Sequence, residues 1–297
     1  MIQISQYCKI EILNDESHLS NLSMKTIIFH SLEASSAKKL ALDLGGEVEL
    51  RKNHYRIHTK KDFDIKSYRL SSDVDLNIFD NNFDYQDIRL MVSDMDSTLI
   101  TVETIDEVAK EVGLKDEISL ITEEAMQGHL DFTESFKKRL SILKGINNSI
   151  FESVYKNKVE LSSGAQELIN YFKSNQIKTA VVSGGLKFFA EKLTSQLGIE
   201  NCRANHVEII NQSITGNIIG NVIDAKEKAK YISELCDQYK LKETQVIAIG
   251  DGANDIEMMK IAGLSVAYHA KPILKQYCNI HINFGSLRSL IDFFEES

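Results

Sequence analysis

The sequence has no tryptophan, one proline and only four cysteines among its 297 residues. The cysteines, Cys8, Cys202, Cys236 and Cys278, lie at least 34 positions apart and form no CxxC pair. This spacing argues against a thiolate metal cluster or a disulfide framework, and it favours reduced thiols in the cytosol. Because Pro272 is the only proline, proline cannot mark a domain boundary in this chain.

Long apolar runs and an excess of positive charge are also missing. No window approaches the roughly 18 consecutive apolar residues of a membrane span, and the first residues, MIQISQYCKIEIL, lack the charged and apolar regions of a signal peptide. Asp and Glu outnumber Lys and Arg by 43 to 34, so the formal charge of −9 would repel a phosphate backbone. We therefore expect a cytoplasmic protein without a membrane or nucleic-acid partner.

The apolar and charged fractions, 43% and 26%, are those of a globular protein, and the chain divides near residue 85. Within residues 1–85 the pattern predicts a strand over 25–30, a helix over 33–44 and strand positions over 47–59 that are broken at Lys52-Asn53. We interpret this part as a small α+β domain. The Asp- and Asn-rich stretch from Asp73 to Gln86 predicts a linker.

Residues 86–297 show a different pattern, in which short apolar runs end in Gly, Ser or Asp and precede helical segments. The runs are IRLMVSDMD, IKTAVVSGG, QVIAIGDGAND and LSVAYHA. They predict an α/β fold with a doubly wound, Rossmann-like parallel sheet that is covered on both faces. Helical periodicity between the first two runs predicts an inserted helical cap at about 105–160.

Two carboxylates follow the first apolar run. Asp94 and Asp96 are two positions apart, so in extended chain they point to the same side, just beyond the end of the strand where ligands bind in such sheets. One can act as nucleophile and the other as proton donor. An Asx-rich turn without catalytic function explains the same residues.

Three further features have a structural and a functional interpretation. Ser183-Gly184 at a helix start suits an anion, or is an ordinary βα turn. Lys228 by itself resembles a solvated lysine, like its neighbours Lys226 and Lys230. Asp251 and Asp255 in GDGAND offer the oxygen ligands that Mg²⁺ prefers, or form an acidic structural turn.

Together, DMDST, VVSGG, Lys228 and GDGAND resemble the four motifs of the haloacid dehalogenase superfamily of phosphotransferases. The segments ETIDEVAKEVG, FTESFKKRLSIL and IGDGANDIEMMKIAGLSVAYHAKP further resemble the phosphoserine phosphatases of that superfamily, over roughly residues 88–290. The N-terminal domain is loosely similar to the ACT-type amino-acid-binding module. The resemblance implies hydrolysis of O-phospho-L-serine to serine and phosphate through an aspartyl-phosphate, the last step of serine biosynthesis.

The resemblance also implies a role for each matching residue. Asp94 would attack phosphorus, and Asp96 would act as acid and then as base. Mg²⁺ would be held by Asp94, the backbone carbonyl of Asp96 and Asp251. The other implied roles belong to substrate-binding and supporting residues: Ser183, Gly184, Lys228 and Asn254 at the phosphoryl group, Glu103 at the ammonium, Arg139 at the carboxylate, Met126 and Phe132 in the cap over the substrate, and Asp255 beside Lys228 or a metal-bound water.

Two alternatives use the same residues differently. Another phosphotransferase of the superfamily, acting on a small phosphometabolite or passing phosphate to homoserine, would keep all four motifs. A regulatory protein would use residues 1–85 to bind an amino acid and carry an inert phosphatase-like body, but the motif carboxylates are all present. Whether the N-terminal domain binds serine or mediates a homodimer stays open.

Overall fold

A computed structural model of the chain describes residues 24–126 and 129–295, except for the side chains of Glu123, Ala125 and Met126. The thiol of Cys8 and the side chain of Met126 therefore lie outside the described residues. In the part of the chain that is described, no helix has both the length and the apolar composition needed to cross a bilayer.

The N-terminal unit combines four strands and two helices: β1 Lys25–Phe29, α1 Ala34–Asp43, β2 Glu47–Leu50, β3 Tyr55–Thr59, α2 Ile65–Leu70 and β4 Leu76–Phe79. The strands form an antiparallel sheet in the order β2-β3-β1-β4. Alternation buries Ile27, Phe29 and Ile57 against Ala37 and Ala41 of α1. The predicted strand and helix are confirmed, and the break at Lys52-Asn53 separates β2 from β3.

The stretch from Asp73 to Gln86 is not the linker that its composition predicts, because it contains β4. The buried side chain of Asn77 donates to the backbone carbonyl of His281 over 2.9 Å and accepts from its N–H over 2.8 Å. The carboxylate of Asp75 accepts from the three consecutive backbone amides of residues 283–285. These polar side chains attach the N-terminal unit to the rest of the protein rather than facing water.

The second unit is built on seven strands: β5 Leu90–Ser93, β6 Lys178–Leu186, β7 Asn201–Ile210, β8 Ser213–Ile219, β9 Val246–Gly250, β10 Leu264–Tyr268 and β11 Ile280–Ile282. Their order is β11-β10-β9-β5-β6-β7-β8, and every pair is parallel except β7 with β8. The chain passes from the central strand β5 to β6 on one side, and only after β8 does it return to form β9 on the other side of β5. The carboxyl ends of these three strands therefore meet at a topological switch point.

Side-chain alternation along the central strands explains why both faces are covered. Met91 lies in the apolar cluster on one face, whereas Leu90 and Val92 lie in the cluster on the other. The surrounding helices are α7 Ala165–Ser174, α8 Lys187–Leu197, α9 Ala225–Tyr239, α10 Ile256–Ile261 and α11 Pro272–Lys275, with short 3₁₀ helices at Tyr85–Asp87, Glu243–Gln245, Ala253–Asp255 and Leu287–Phe293. The predicted doubly wound sheet is confirmed.

The insertion between β5 and β6 is helical, as its periodicity predicts. It comprises α3 Thr104–Glu111, α4 Lys115–Met126, α5 Phe132–Ile142 and α6 Ser149–Lys158. Its two connections to the sheet run side by side: the N–H of Thr101 donates to the carbonyl of Glu160, and that of Ser162 to the carbonyl of Leu99. The cap also pairs with the edge of the sheet, because the N–H of Gly145 donates to the carbonyl of Ile214 in β8 and the N–H of Ile214 donates to the carbonyl of Ile146.

Candidate active site

The carboxyl ends of β5, β6 and β9 bring most of the predicted site residues to one edge of the sheet. Asp94 directly follows β5, Ser183 and Gly184 lie near the end of β6, and Asp251 directly follows β9. Helix α9 adds Lys228 from the adjacent face. All five residues are buried, so the site is closed off by protein on several sides.

Lys228 is the centre of a buried ion-pair network. Its Nζ lies 2.9 Å from Oδ1 of Asp94 and 2.6 Å from Oδ1 of Asp255, and neither Lys228 nor Asp255 is exposed. Oδ2 of Asp255 accepts from the backbone amides of Asp251 and Gly252. Asp255 thus orients the lysine and also holds the turn that carries Asp251.

Burial sets the protonation of the two carboxylates after β5. It raises the pKa of Asp94 to about 8, against the opposing effect of Lys228, and the charges of Asp255 and Asp251 add to the increase. Burial also raises the pKa of Asp96 well above its usual range, helped by the charges of Glu103 and Asp94. Asp96 accepts hydrogen bonds of 3.2 Å from both the backbone amide and the hydroxyl of Thr104. A carboxyl that is protonated near neutral pH can serve as a proton donor.

The carboxylates at this edge fit a divalent metal ion. Oxygen atoms of Asp94, Asp251 and Asp255 lie within 4.8 Å of one another, and Lys228 is the one ammonium group paired with them among the described residues. Burial, followed by the charge of Asp255, raises the pKa of Asp251 to about 7. Because hydrogen bonds occupy both oxygens of Asp255, Asp94 and Asp251 are the better placed ligands. Three carboxylates with one ammonium group leave an excess of negatively charged oxygen atoms, and these hard oxygen atoms are the ligands that Mg²⁺ prefers.

The Ser183-Gly184 segment, which the sequence predicts to bind phosphate, differs in one respect from that prediction. Ser183 and Gly184 lie within β6, at a register shift against β7, and α8 begins only at Lys187. An irregularity in the strand, rather than a helix N-terminus, therefore interrupts the pairing of this backbone with β7. The side chain of Asn205 holds the segment in place, since it donates to the carbonyl of Gly184 over 2.7 Å and accepts from the N–H of Ile223 over 2.9 Å. Sequence reasoning missed Asn205, because nothing distinguishes a buried Asn in β7.

The two residues expected at the amino-acid head sit on the cap side of the site. Glu103 precedes α3 and accepts from the hydroxyl of Ser97 over 2.7 Å. Arg139 of α5 is largely buried, its Nη1 lies 3.7 Å from Oδ1 of Asp106, and its Nε has no hydrogen-bond partner. Asp106 and Ser97 were not predicted, although Asp106 lies three residues after Glu103 and thus on the same side of α3.

Phe132 of the cap contacts the Ser183-Gly184 segment. A Cβ atom placed on Gly184 would stand 2.5 Å from Cζ of the Phe132 ring, so only glycine permits this approach. Phe132 stacks on Phe136, which belongs to the core of the cap. Asn254 lies in the 3₁₀ helix that follows β9, with its side-chain oxygen over Gly252.

Comparison with known proteins gives one consistent family. A model of haloacid dehalogenase-like hydrolases matches residues 88–263. A phosphoserine phosphatase of Polaromonas sp. is 39% identical over 222 residues, 73% of this chain and 94% of that protein. A probable phosphoserine phosphatase from Vibrio cholerae, in its unliganded crystal form, is similar with a TM-score of 0.78 and 31% identity over 91% of this chain and 85% of its own. A substrate-bound phosphoserine phosphatase structure is similar with a TM-score of 0.65 and 36% identity over 69% of this chain and 98% of its own.

Proposed function

The chain belongs to the haloacid dehalogenase-like hydrolase family, and from the geometry of its site we infer that it is a phosphoserine phosphatase, which hydrolyses O-phosphoserine to serine and phosphate. One observation carries this function: beside the buried Asp94–Lys228 pair, the charge of Glu103, a residue suited to an ammonium group, acts on both Asp96 and Asp251. Asp96 accepts hydrogen bonds from Thr104, the residue directly after Glu103. A phosphate monoester of an amino acid therefore fits both parts of the site at once.

In the first step, a carboxylate oxygen of Asp94 attacks phosphorus and the bond from phosphorus to the serine oxygen breaks. Asp96 donates its proton to that oxygen, so serine leaves as a neutral hydroxyl. Lys228, the hydroxyl of Ser183 and the backbone amide of Gly184 bind the phosphoryl oxygens and stabilise the charge that develops on them. Asn254 helps to position the phosphoryl group.

In the second step, water hydrolyses the aspartyl-phosphate. Asp96, now ionised, takes a proton from the water, whose oxygen forms a bond to phosphorus while the bond from phosphorus to Asp94 breaks. Phosphate leaves, and both carboxyl groups return to their starting protonation. The raised pKa of Asp96 suits both halves of this cycle, because a more basic carboxylate holds a proton for the first half and takes one up in the second.

Asp94, Asp251 and the backbone carbonyl of Asp96 would hold Mg²⁺, which supplies the positive charge that a carboxylate needs beside a phosphate dianion. This chain provides the rest of that neutralisation through Lys228, whose burial between Asp94 and Asp255 keeps it in place. Asp255 orients the lysine and the loop of Asp251, and we assign it no direct contact with substrate.

Specificity for phosphoserine comes from the cap side. The fork of Arg139 can bind the substrate carboxylate, and Glu103 can accept from its ammonium group. Phe132 closes over the phosphate-binding segment and excludes water, which strengthens these electrostatic contacts. Met126 is proposed to join this apolar cover. The free thiols of Cys202, Cys236 and Cys278 support a cytoplasmic location.

The test is release of inorganic phosphate from O-phosphoserine with Mg²⁺, measured against a chelator control. We expect release that depends on Mg²⁺ and exceeds release from sugar phosphates and phosphoethanolamine. Transfer of phosphate to added homoserine in place of water would identify the phosphotransferase alternative. An intact, Mg²⁺-loaded protein that releases no phosphate from phosphoserine would reject the assignment.

A further inference from the structure

The carboxylate of Asp75 fixes the backbone of the C-terminal segment from the N-terminal unit. Only 3% of Asp75 is exposed. Its Oδ1 accepts from the backbone amide of Asn283 over 2.7 Å, and its Oδ2 accepts from the amides of Phe284 and Gly285 over 3.1 and 2.7 Å. Because hydrogen bonds to a charged acceptor are among the stronger ones, three of them to consecutive amides determine the path of this backbone.

The segment that Asp75 fixes, residues 283–287, packs against the hinge of the cap, by which we mean its paired connections to the sheet over residues 99–103 and 159–164. The N–H of Leu287 donates to the carbonyl of Ser163 over 2.9 Å. A Cβ atom on Gly164 would stand 2.5 Å from the backbone nitrogen of Arg288, so the two backbones are in direct contact. A shift of the 283–287 segment would therefore displace the end of the hinge.

The hinge leads directly to the proposed general acid. The N–H of Ser162 donates to the carbonyl of Leu99 over 2.9 Å, and Leu99 lies three positions after Asp96. The cap meets the sheet both here and at its edge strand β8, but the hinge is the contact beside the site. It therefore sets the distance between the sheet edge and Glu103 and Arg139 on the cap side.

The 283–287 segment also reaches the loop of the proposed metal ligand Asp251. The carbonyl of Gly285 accepts from Nε2 of His269 over 3.0 Å, and His269 directly follows β10 with a φ of 44°. Two residues later, the N–H of Lys271 donates to the carbonyl of Asp251 over 2.9 Å. One segment thus adjoins both sides of the proposed active site.

We propose that Asp75 is a positioning residue for phosphoserine hydrolysis, which acts through the 283–287 segment on the hinge of the cap. This role rests on the proposed function, because phosphoserine would bind the sheet edge through its phosphate and the cap side through its amino-acid head. A substrate that bridges two parts of the protein requires them at the correct separation, and a displacement of about 1 Å can cost about 100-fold in rate. Acetyl phosphate has no amino-acid head, so the position of the cap matters less for its hydrolysis.

Asp75→Asn on the full chain tests this role. The substitution keeps the shape of the side chain but replaces one acceptor oxygen with an NH₂ group, which cannot accept from a backbone amide. We expect kcat/KM for phosphoserine to fall at least about tenfold, and kcat/KM for acetyl phosphate to fall less than about threefold. Asp73→Asn is the matched control, because Asp73 lies on the exposed surface two residues away, and it should leave both values unchanged.

Hydrogen exchange measured by mass spectrometry reports on the hinge independently of activity. In Asp75→Asn, the peptides that contain the amides of Ser162 and Leu287 should exchange faster than in the wild type, because the contacts that order them are weakened. The amides of α9 should exchange at the wild-type rate. A purely structural role of Asp75 would instead accelerate exchange throughout the protein and lower kcat/KM for both substrates equally.

Gly285→Ala perturbs the same contact from its other partner and serves if Asp75→Asn does not fold. Its new Cβ would stand 3.1 Å from Oδ2 of Asp75 and 2.8 Å from Oγ of Ser289. The same selective loss of phosphoserine hydrolysis is expected. In a folded variant, an unchanged kcat/KM for phosphoserine, an equal loss for both substrates, or unchanged exchange at the hinge would each overturn the proposal.

Failure of the proposed function gives a different result. If the wild-type protein releases no phosphate from phosphoserine, that function is rejected whatever the variants do. Exchange at the hinge then decides the contact alone: acceleration confined to the hinge in Asp75→Asn would support the connection from Asp75 to the cap, and unchanged exchange would overturn it as well.

Discussion

The ammonium group of Lys228 lies 2.9 Å from Oδ1 of Asp94, and both side chains are excluded from solvent. Removing one partner of a buried pair usually costs more than the pair contributes, because the other charge is left without compensation. In this site Asp255 is a second partner for Lys228, at 2.6 Å, so the lysine remains paired when Asp94 changes. This permits a test of Asp94 that leaves the fold in place.

In Asp94→Asn, we expect phosphoserine hydrolysis to fall at least about 10⁴-fold, the scale seen when a nucleophile is removed. The amide keeps the shape of the side chain but cannot form an aspartyl-phosphate. Acid-quenched enzyme should therefore carry phosphate on the wild-type chain only. A thermal melt provides the control, since the variant should still unfold cooperatively. Turnover near the wild-type rate would assign the nucleophile to another residue.

The edge of the sheet that carries Asp94 and Asp251 could be predicted from the sequence because these residues follow strands directly. Asp94 and Asp251 come immediately after apolar runs, and parallel strands bring their carboxyl ends together whatever the distance along the chain. The local pattern therefore determines the spatial arrangement here. The same reasoning failed for Ser183 and Gly184, which it placed in a turn after the strand. Strand β6 instead continues through both residues, and its register against β7 shifts there. A bulge depends on the pairing of the neighbouring strand, which sequence pattern alone does not reveal.

Other features depend on tertiary contacts and were harder to predict. Lys228 is fully buried, whereas Lys226 and Lys230 on the same helix are exposed, and only the packing of α9 against the sheet distinguishes them. Family resemblance, not periodicity, singled out the lysine that the structure buries beside Asp94. The prediction for the segment of Asn77 was wrong in the other direction, because the polar composition of this segment is typical of a linker. The segment is a strand, and the side chain of Asn77 forms hydrogen bonds with the backbone of β11.

The affinity for Mg²⁺ should rise with pH through the range in which Asp251 and Asp94 titrate, at about 7 and about 8. Both pKa values are raised in the folded, metal-free protein, so the folded state binds these protons more tightly than the unfolded state does. Their contribution to stability is full below the unfolded-state pKa of about 4 and is lost as pH rises through about 7 to 8. Mg²⁺ must displace the protons of Asp94 and Asp251 in order to bind. It therefore stabilises the fold most at the alkaline end of this pH range, where these protons have already left.

Thermal melts with and without Mg²⁺ check this dependence. The increase in Tm on adding Mg²⁺ should be small near pH 6 and clearly larger near pH 9. Asp251→Asn is the control, because it removes one ligand and one of the two titrating groups. An equal Mg²⁺-induced shift in Tm across this range would show that these carboxylates are not the ligands.

Closure of the cap should depend on the absence of a side chain at position 184. In Gly184→Ala the new Cβ would stand 2.5 Å from Cζ of Phe132, while the backbone amide that we propose to bind phosphate is kept. Overpacking of this kind costs about 1–3 kcal/mol, so kcat/KM for phosphoserine should fall roughly 5- to 150-fold. Steady-state kinetics measure the effect.

Phe132→Leu supplies the second side of a double-mutant cycle. If the clash with the ring causes the loss, Gly184→Ala should cost much less in the Phe132→Leu background than in the wild type. The Phe132→Leu single variant measures what the smaller side chain costs alone. Additive losses would mean that alanine disturbs the Ser183-Gly184 segment itself and that cap closure is unaffected.

The choice of substrate should depend on the charge of Arg139. This guanidinium is largely buried and its one ion-pair partner among the described residues, Asp106, stands 3.7 Å away without a hydrogen bond. Its donors are therefore available to a substrate carboxylate. A ligand without that carboxylate leaves a buried charge poorly compensated, which typically costs about 2–5 kcal/mol. Phosphoethanolamine, which has the ammonium and the phosphate but no carboxylate, isolates this contribution.

Wild-type protein should therefore favour phosphoserine over phosphoethanolamine in kcat/KM by about 30-fold to several thousandfold, at roughly 1.4 kcal/mol per tenfold. In Arg139→Ala this ratio should fall close to one, because phosphoserine loses its carboxylate contact while phosphoethanolamine loses none. Lys138→Ala is the matched control: it removes a neighbouring charge of the same helix whose partner, Glu124, lies 3.5 Å away on the half-exposed surface. An Arg139→Ala variant that keeps the wild-type ratio would show that another group binds the carboxylate, and an equal loss for both substrates would reduce Arg139 to a structural role in the cap.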